Sequence, residues 1–235
     1  MTKTLIIGLV VVAVIALGGF FLWTPAGAPE TTDEARQEAQ SEAITEESKV
    51  VTSGTYVVVP EESDVRWAGK KPLIDGYVNS GSLALESGSI VVTETTATGD
   101  FVIDMNTLSV SQTPTKPGKE SSLEGHLKGE NWFNVAAFPT ATFDIVEVSP
   151  RADSGTAFVY NVRGNLTMKG ETHELSFPAL IYLDANGVLH ADATLEFDRT
   201  LWGITAGSGS FFDNLADNAI DDMVSLSFNL VAEKQ

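Results

Sequence analysis

The sequence predicts an all-β fold: an antiparallel sheet closed into a β-barrel, with one short helical insertion and an N-terminal transmembrane helix ahead of it. Three observations carry this. Apolar residues recur at every second position in Leu175-Phe177-Ala179-Ile181-Leu183, in Leu189-Ala191-Ala193-Leu195-Phe197 and in Val224-Leu226-Phe228-Leu230. Successive strand side chains point to opposite faces, so each run lays one apolar row on one side of a sheet. The opposite rows are mostly polar, with Ser176, Asp192, Thr194, Glu196, Ser225, Ser227 and Asn229. Turn signals at Gly155, Lys169-Gly170 and Asn186-Gly187 separate the strands, and Asn-Gly is the strongest short hairpin signal. The third observation is an uncharged run from Thr4 to Trp23, which as a helix spans roughly 30 Å, the thickness of a bilayer's hydrocarbon.

Taken in order, residues 1–28 read as a transmembrane anchor or an uncleaved signal. Lys3 precedes the apolar run and Glu30, Asp33 and Glu34 follow it, which sets the N terminus in the cytoplasm and the rest in the periplasm or outside the cell. Ala26-Gly27-Ala28 has the small-x-small form of a cleavage site; Pro29 disfavours cutting there, Thr24-Pro25-Ala26 is the alternative site, and the apolar run exceeds a usual signal core. Residues 29–50 are rich in Glu, Ala, Ser and Thr and read as an acidic, solvated tether. Residues 51–235 form the barrel domain.

Within that domain, strands are expected at Gly54–Val59, Asp64–Gly69, Tyr77–Leu85, Ser89–Thr96 and Gly99–Met105. Pro114, Pro117 and Gly118 then impose a loop, and Glu120–Val135 suits short helical turns, capped by Ser121 or Ser122 and ended at Phe138-Pro139. Strands resume at Thr140–Val148, Phe158–Met168, Glu171–Leu183, Val188–Phe197 and Met223–Ala232. Eight to ten strands in up-and-down order close most economically by abolishing the sheet's edges, leaving an interior that side chains fill or that holds one small ligand.

The chain contains no cysteine, which excludes disulfides, thiolate metal sites and a lipoprotein cysteine. A formal net charge of −18 repels nucleic acid and anionic surfaces, so no nucleic-acid partner is expected. His126, His173 and His190 lack metal-ligand spacing, and Asp213, Asp217, Asp221 and Asp222 lack the ligand spacing of a calcium loop. Gly207–Ser210 has neither a phosphate-loop lysine nor nucleophile-elbow spacing, and reads as a turn. Asn165-Leu166-Thr167 matches a glycosylation acceptor but falls inside a strand. No catalytic residue, metal site or cofactor is expected, and the chain reads as a binding protein, not an enzyme. A metal-dependent hydrolase built on the acidic cluster is the weakest alternative.

Several strings resemble the YceI family, the lipocalin-like, polyisoprenoid-binding proteins of bacteria. They are Val65-Arg66-Trp67-Ala68-Gly69-Lys70, Phe101-Val102-Ile103-Asp104-Met105-Asn106, Leu123 to Phe133, Phe138 to Phe143, Gly164 to Gly170, Asp198-Arg199-Thr200 and Trp202-Gly203-Ile204. The resemblance runs over nearly all of Tyr56–Ala232. It implies a lipocalin-like barrel around a long apolar pore that binds, stores or transports an isoprenoid quinone or another long-chain isoprenoid or fatty amphiphile outside the cytoplasm. The anchor and tether, and the Gly207–Phe212 segment, depart from the simplest members, and an anchored form need not shuttle lipid freely.

Candidate ligand-binding residues in the pore are Trp67, Phe101, Ile103, Phe143, Phe177, Ile181, Leu195, Phe197 and Phe228. Each also suits ordinary core packing, which is how most interiors are filled. Trp132, Phe133 and Phe138 are expected to cap one end. Lys116, Lys119, His126 and Arg199 are the donors available for a head group, and the scarcity of bases favours a neutral head such as a quinone over a pyrophosphate. Arg199 also suits pairing with Asp198 or Glu196. The alternative function is a ligand-free envelope-stress or protein-interaction module with a packed core. The membrane is expected as a partner through the N-terminal helix, and a homodimer is left open.

Overall fold

A computed structural model describes residues 48–152, 158–213 and 215–235. The apolar run and most of the tether lie outside the described residues. Among those described, no helix is long and apolar enough to cross a membrane.

Nine antiparallel strands form one sheet: β1 (Gly54–Val58), β2 (Asp64–Lys70), β3 (Val78–Val92), β4 (Ala97–Asp104), β5 (Thr140–Pro150), β6 (Val159–Met168), β7 (Glu171–Leu183), β8 (Leu189–Asp198) and β9 (Met223–Lys234). β1 and β2 both lie between β3 and β9. Tyr56 pairs with Ile90 and Lys234, whereas Trp67 pairs with Gly81 and Leu226. The two therefore run end to end in one position of the ring, and pairing of β3 with β4 closes the barrel. A 3-10 turn at Pro60–Glu62 separates them, since Pro60 has no N–H to give to a ladder. Ser63 spans the gap, its hydroxyl accepting from the Val231 N–H and donating to the Val59 carbonyl.

Up-and-down order sorts the connections to two ends. The β3–β4 and β7–β8 turns, the end of β5, the start of β6, the start of β1 and the end of β9 lie at one end. The β2–β3 turn, the long β4–β5 insertion, the Lys169-Gly170 turn and the 199–222 segment crowd the other. In the insertion, α1 (Glu120–Lys128) is preceded by Lys119 rather than capped by Ser121 or Ser122. The Thr113 hydroxyl donates to the Glu120 carboxylate at 2.6 Å, tying the loop to the helix start and holding that carboxyl below its usual range.

The expected break between Leu85 and Ser89 is absent. β3 is continuous and absorbs Glu86-Ser87-Gly88 in a register shift between Leu85 and Ser87, a bulge that bends the strand without ending it. The other strand boundaries agree with the sequence pattern to within a few residues.

Candidate functional site: an apolar bore

Among the described residues, two cavities stand out inside the barrel. The larger, about 290 Å³, is walled by β3 to β9 with Val51 and Val65. Its outer rim is the exposed Thr93–Thr96 turn together with Pro150 and Tyr160, so it opens at the end that carries the β3–β4 hairpin. The smaller, about 130 Å³, lies toward the opposite end, beneath Leu123 and Leu127 of α1 and Trp132 and Phe133.

Seven of the nine candidate residues line the larger cavity: Phe101, Ile103, Phe143, Phe177, Ile181, Leu195 and Phe228. Trp67 and Phe197 line the smaller one instead, and Ile103 lines both. Phe177 is the centre of an aromatic row, with ring centroids 5.7 Å from Phe143 on one side and 5.7 Å from Phe228 on the other. The space between the walls survives because inward positions also carry small side chains, Ala97, Ala179 and Ala191, facing larger ones.

Glycines let the aromatics lie back against the wall. Gly81 pairs with Trp67, and a Cβ on it would stand 2.9 Å from Trp67 Cζ2 and collide with the Ser109 carbonyl. The freed space lets Trp67 Nε1 donate to that carbonyl at 3.1 Å. Glycine inside a strand marks close approach of this kind.

The head-group donors expected from the sequence are at the wrong end for the larger cavity. Lys116, Lys119 and His126 sit exposed in the β4–β5 insertion, at the end opposite the rim, because one additional strand separates them from the β3–β4 turn. Arg199 is 2% exposed and acts as a tie within the closed end. Its guanidinium donates to the carbonyls of Ile204, Ala206 at 3.0 Å, Asp221 at 3.0 Å and Ile220 at 3.3 Å. Its carboxylate partner is Asp222, at 3.5 Å, rather than Asp198 or Glu196. Asp198 instead accepts from the backbone and hydroxyl of Thr200. Trp132 lies over the guanidinium at 5.3 Å, so the arginine pins the insertion to the 199–222 segment.

Tyr160 is the rim residue that sequence reasoning missed. It occupies an inward position two residues before Val162 and lines the larger cavity. Burial raises its phenol pKa, so it stays protonated and able to donate at any physiological pH. The signal in the sequence was an amphipathic residue at one end of an otherwise apolar row.

The acidic cluster has structural duties. Asp222 accepts from the Ser210 hydroxyl at 2.6 Å, and Asp221 lies 3.4 Å from Lys70. Among the described residues no group of three or more His, Asp or Glu side chains is placed to hold a metal ion.

A closed antiparallel barrel with an apolar bore open at one end is an architecture with room for a small apolar guest. Residues 56–232 match the YceI-like domain, and the chain belongs to that family. Its fold is similar to that of Burkholderia cenocepacia BcnA, with TM-score 0.55 and 22% identity over 75% of this chain and 99% of that one. It is also similar to a polyisoprenoid binding domain from Saccharophagus degradans implicated in plant cell wall breakdown, with TM-score 0.53 and 17% identity over 78% of this chain and all of that domain. Among curated sequences, a UPF0312 protein of Yersinia pestis is 47% identical over 47 residues, 20% of this chain. The chain spans 22% of the length of that relative.

Proposed function

We propose that this chain binds a long-chain isoprenoid amphiphile, with an isoprenoid quinone as the best-fitting class, and stores it or hands it over outside the cytoplasm. The observation that carries the reading is the 290 Å³ apolar cavity, enclosed by strands and open at a hydroxyl-bearing rim. Removing apolar surface from water is worth about 25 cal/mol per Å², so a hydrocarbon tail needs no charged contact to bind there. The Saccharophagus domain that shares the fold supports the ligand class by its described binding of polyisoprenoid.

The rim favours an uncharged head. It offers the Tyr160 phenol and the hydroxyls of Thr95 and Thr96, with Glu94 beside them, on a chain of net charge −18. The residues that line the mouth carry one carboxylate, Glu94, and no cation, so a quinone carbonyl that accepts a hydrogen bond from the phenol matches them better than a pyrophosphate or carboxylate head. The chain enters the barrel at this same rim. Lys49 pairs with Leu183, each N–H reaching the other's carbonyl at 2.8 Å, and Val51 lines the cavity. The proposed N-terminal anchor thus joins the barrel, through the tether, at the end that carries the mouth.

Titration of the purified barrel domain with a quinone, a polyprenyl pyrophosphate and a hydrocarbon of matched tail length, followed by fluorescence of its tryptophans, tests the reading. Quinone is expected to bind most tightly at moderate salt. Tighter binding of the pyrophosphate would contradict it.

A further inference from the structure

The two cavities share three wall residues, Ile103, Leu166 and Leu226, and these come from strands spread almost evenly round the ring. β4 and β6 are two positions apart, β6 and β9 three, and β9 and β4 three, counting β1 and β2 as one. Side chains that reach inward from three sides at one level close a bore more completely than neighbours on one wall.

The rows on either side confirm that the level is shared. One inward step toward the rim brings Phe101 on β4 and Phe228 on β9, which line only the larger cavity. One step the other way brings Met105, Met168 and Val224, which line only the smaller. Inward residues of a strand are about 6.6 Å apart along its length, so the three rows stack as layers across one barrel. Ile103 and Leu166 are 9% and 5% exposed.

Resting on the lipid reading above, we propose that Ile103, Leu166 and Leu226 form a septum that divides one bore into two chambers and sets the longest tail the protein accommodates. The outer chamber takes the tail from the rim inward. The inner chamber, walled in part by the adaptable side chains of Met105 and Met168, is space the tail reaches only when the septum is removed.

The test is a ladder of quinones that differ by one isoprene unit, titrated into the wild type and into Leu166→Ala and Leu226→Ala. In the wild type, affinity rises by roughly a hundredfold per unit while the outer chamber fills and then stops rising. In either alanine variant the break moves to a longer tail by at least one unit. Affinity that climbs through the whole ladder in the wild type overturns the septum, and this arm stands even if both variants fail to fold. A break that stays at the same length in a folded alanine variant also overturns it. Wild-type protein that binds no member of the ladder overturns the lipid reading itself, whereas an unmoved break leaves that reading standing and removes the septum alone.

Discussion

The Phe143 ring fills the space that a side chain on Gly164 would occupy. A Cβ there would collide with the ring and stand 2.7 Å from the Asp144 carbonyl oxygen. Phe143 pairs with Leu166 and Gly164 with Ile145, so the ring leans diagonally over the neighbouring strand and lies along the wall of the bore. Gly164→Ala is expected to push the ring inward, costing about 1–3 kcal/mol of stability through overpacking and weakening lipid binding. Urea denaturation and quinone titration check the two effects, and a variant unchanged in both would show that the ring is free to move elsewhere.

Phe177 joins the two aromatic neighbours that flank it across the wall. Phe177→Ala is expected to cost about 3 kcal/mol, the low end for loss of a buried phenylalanine, because the ring already faces a void on one side. Chemical denaturation reads the loss. A cost well above this range would indicate a close-packed core in place of a cavity.

Tyr160→Phe separates head recognition from tail recognition. The variant is expected to lose about five- to tenfold in affinity for a quinone, the net worth of one neutral hydrogen bond. Its affinity for an isoprenoid hydrocarbon of the same length should not change. Equal losses for both ligands would mean that the phenol contributes packing only.

Arg199 holds the closed end by donating to the carbonyls of Ile204, Ala206, Ile220 and Asp221. Arg199→Met is expected to destabilise the protein by about 3 kcal/mol, since it strands buried carbonyls and frees Asp222. Thermal unfolding measures it. Hydrogen exchange should localise the loosening to the insertion and the 199–222 segment, and uniform loosening across the barrel would contradict the tie.

Asp222 gives a pH dependence of definite sign. Burial pushes its pKa up, but the Ser208 and Ser210 hydroxyls and the Arg199 guanidinium outweigh it, so the carboxyl lies below its usual value. The unfolded chain thus takes up its proton first as pH falls. Stability from this group is complete above the ordinary carboxylate range and is lost as pH drops through the lowered folded value. Asp222→Asn should therefore unfold at a lower temperature than wild type at neutral pH, with the gap closing in acid. A gap that persists in acid would assign the effect to geometry rather than charge.

Much of the barrel was legible in the sequence because one face of each strand is buried and the other is wet. β7 begins at Glu171 and ends at Leu183 as the alternation predicts. The break read into β3 was a bulge, since Glu86-Ser87-Gly88 looks alike in a turn and in a bent strand. Whether the inside was full or hollow was harder, because Phe177 or Leu195 is equally apolar in either case. The informative residues were small ones: Ala97, Ala179 and Ala191 among the large inward side chains, and Gly81 and Gly164 beside Trp67 and Phe143. The position of the basic residues relative to the mouth depends on which end is open, and alternation along a strand carries no information about that.

Organic extraction of the purified full chain, with mass spectrometry of the extract, tests the carrier account most directly. Stoichiometric recovery of one isoprenoid-tailed amphiphile, restored on adding that lipid back to stripped protein, is the predicted result. Protein that carries no lipid and takes none up when offered the quinone ladder would contradict it.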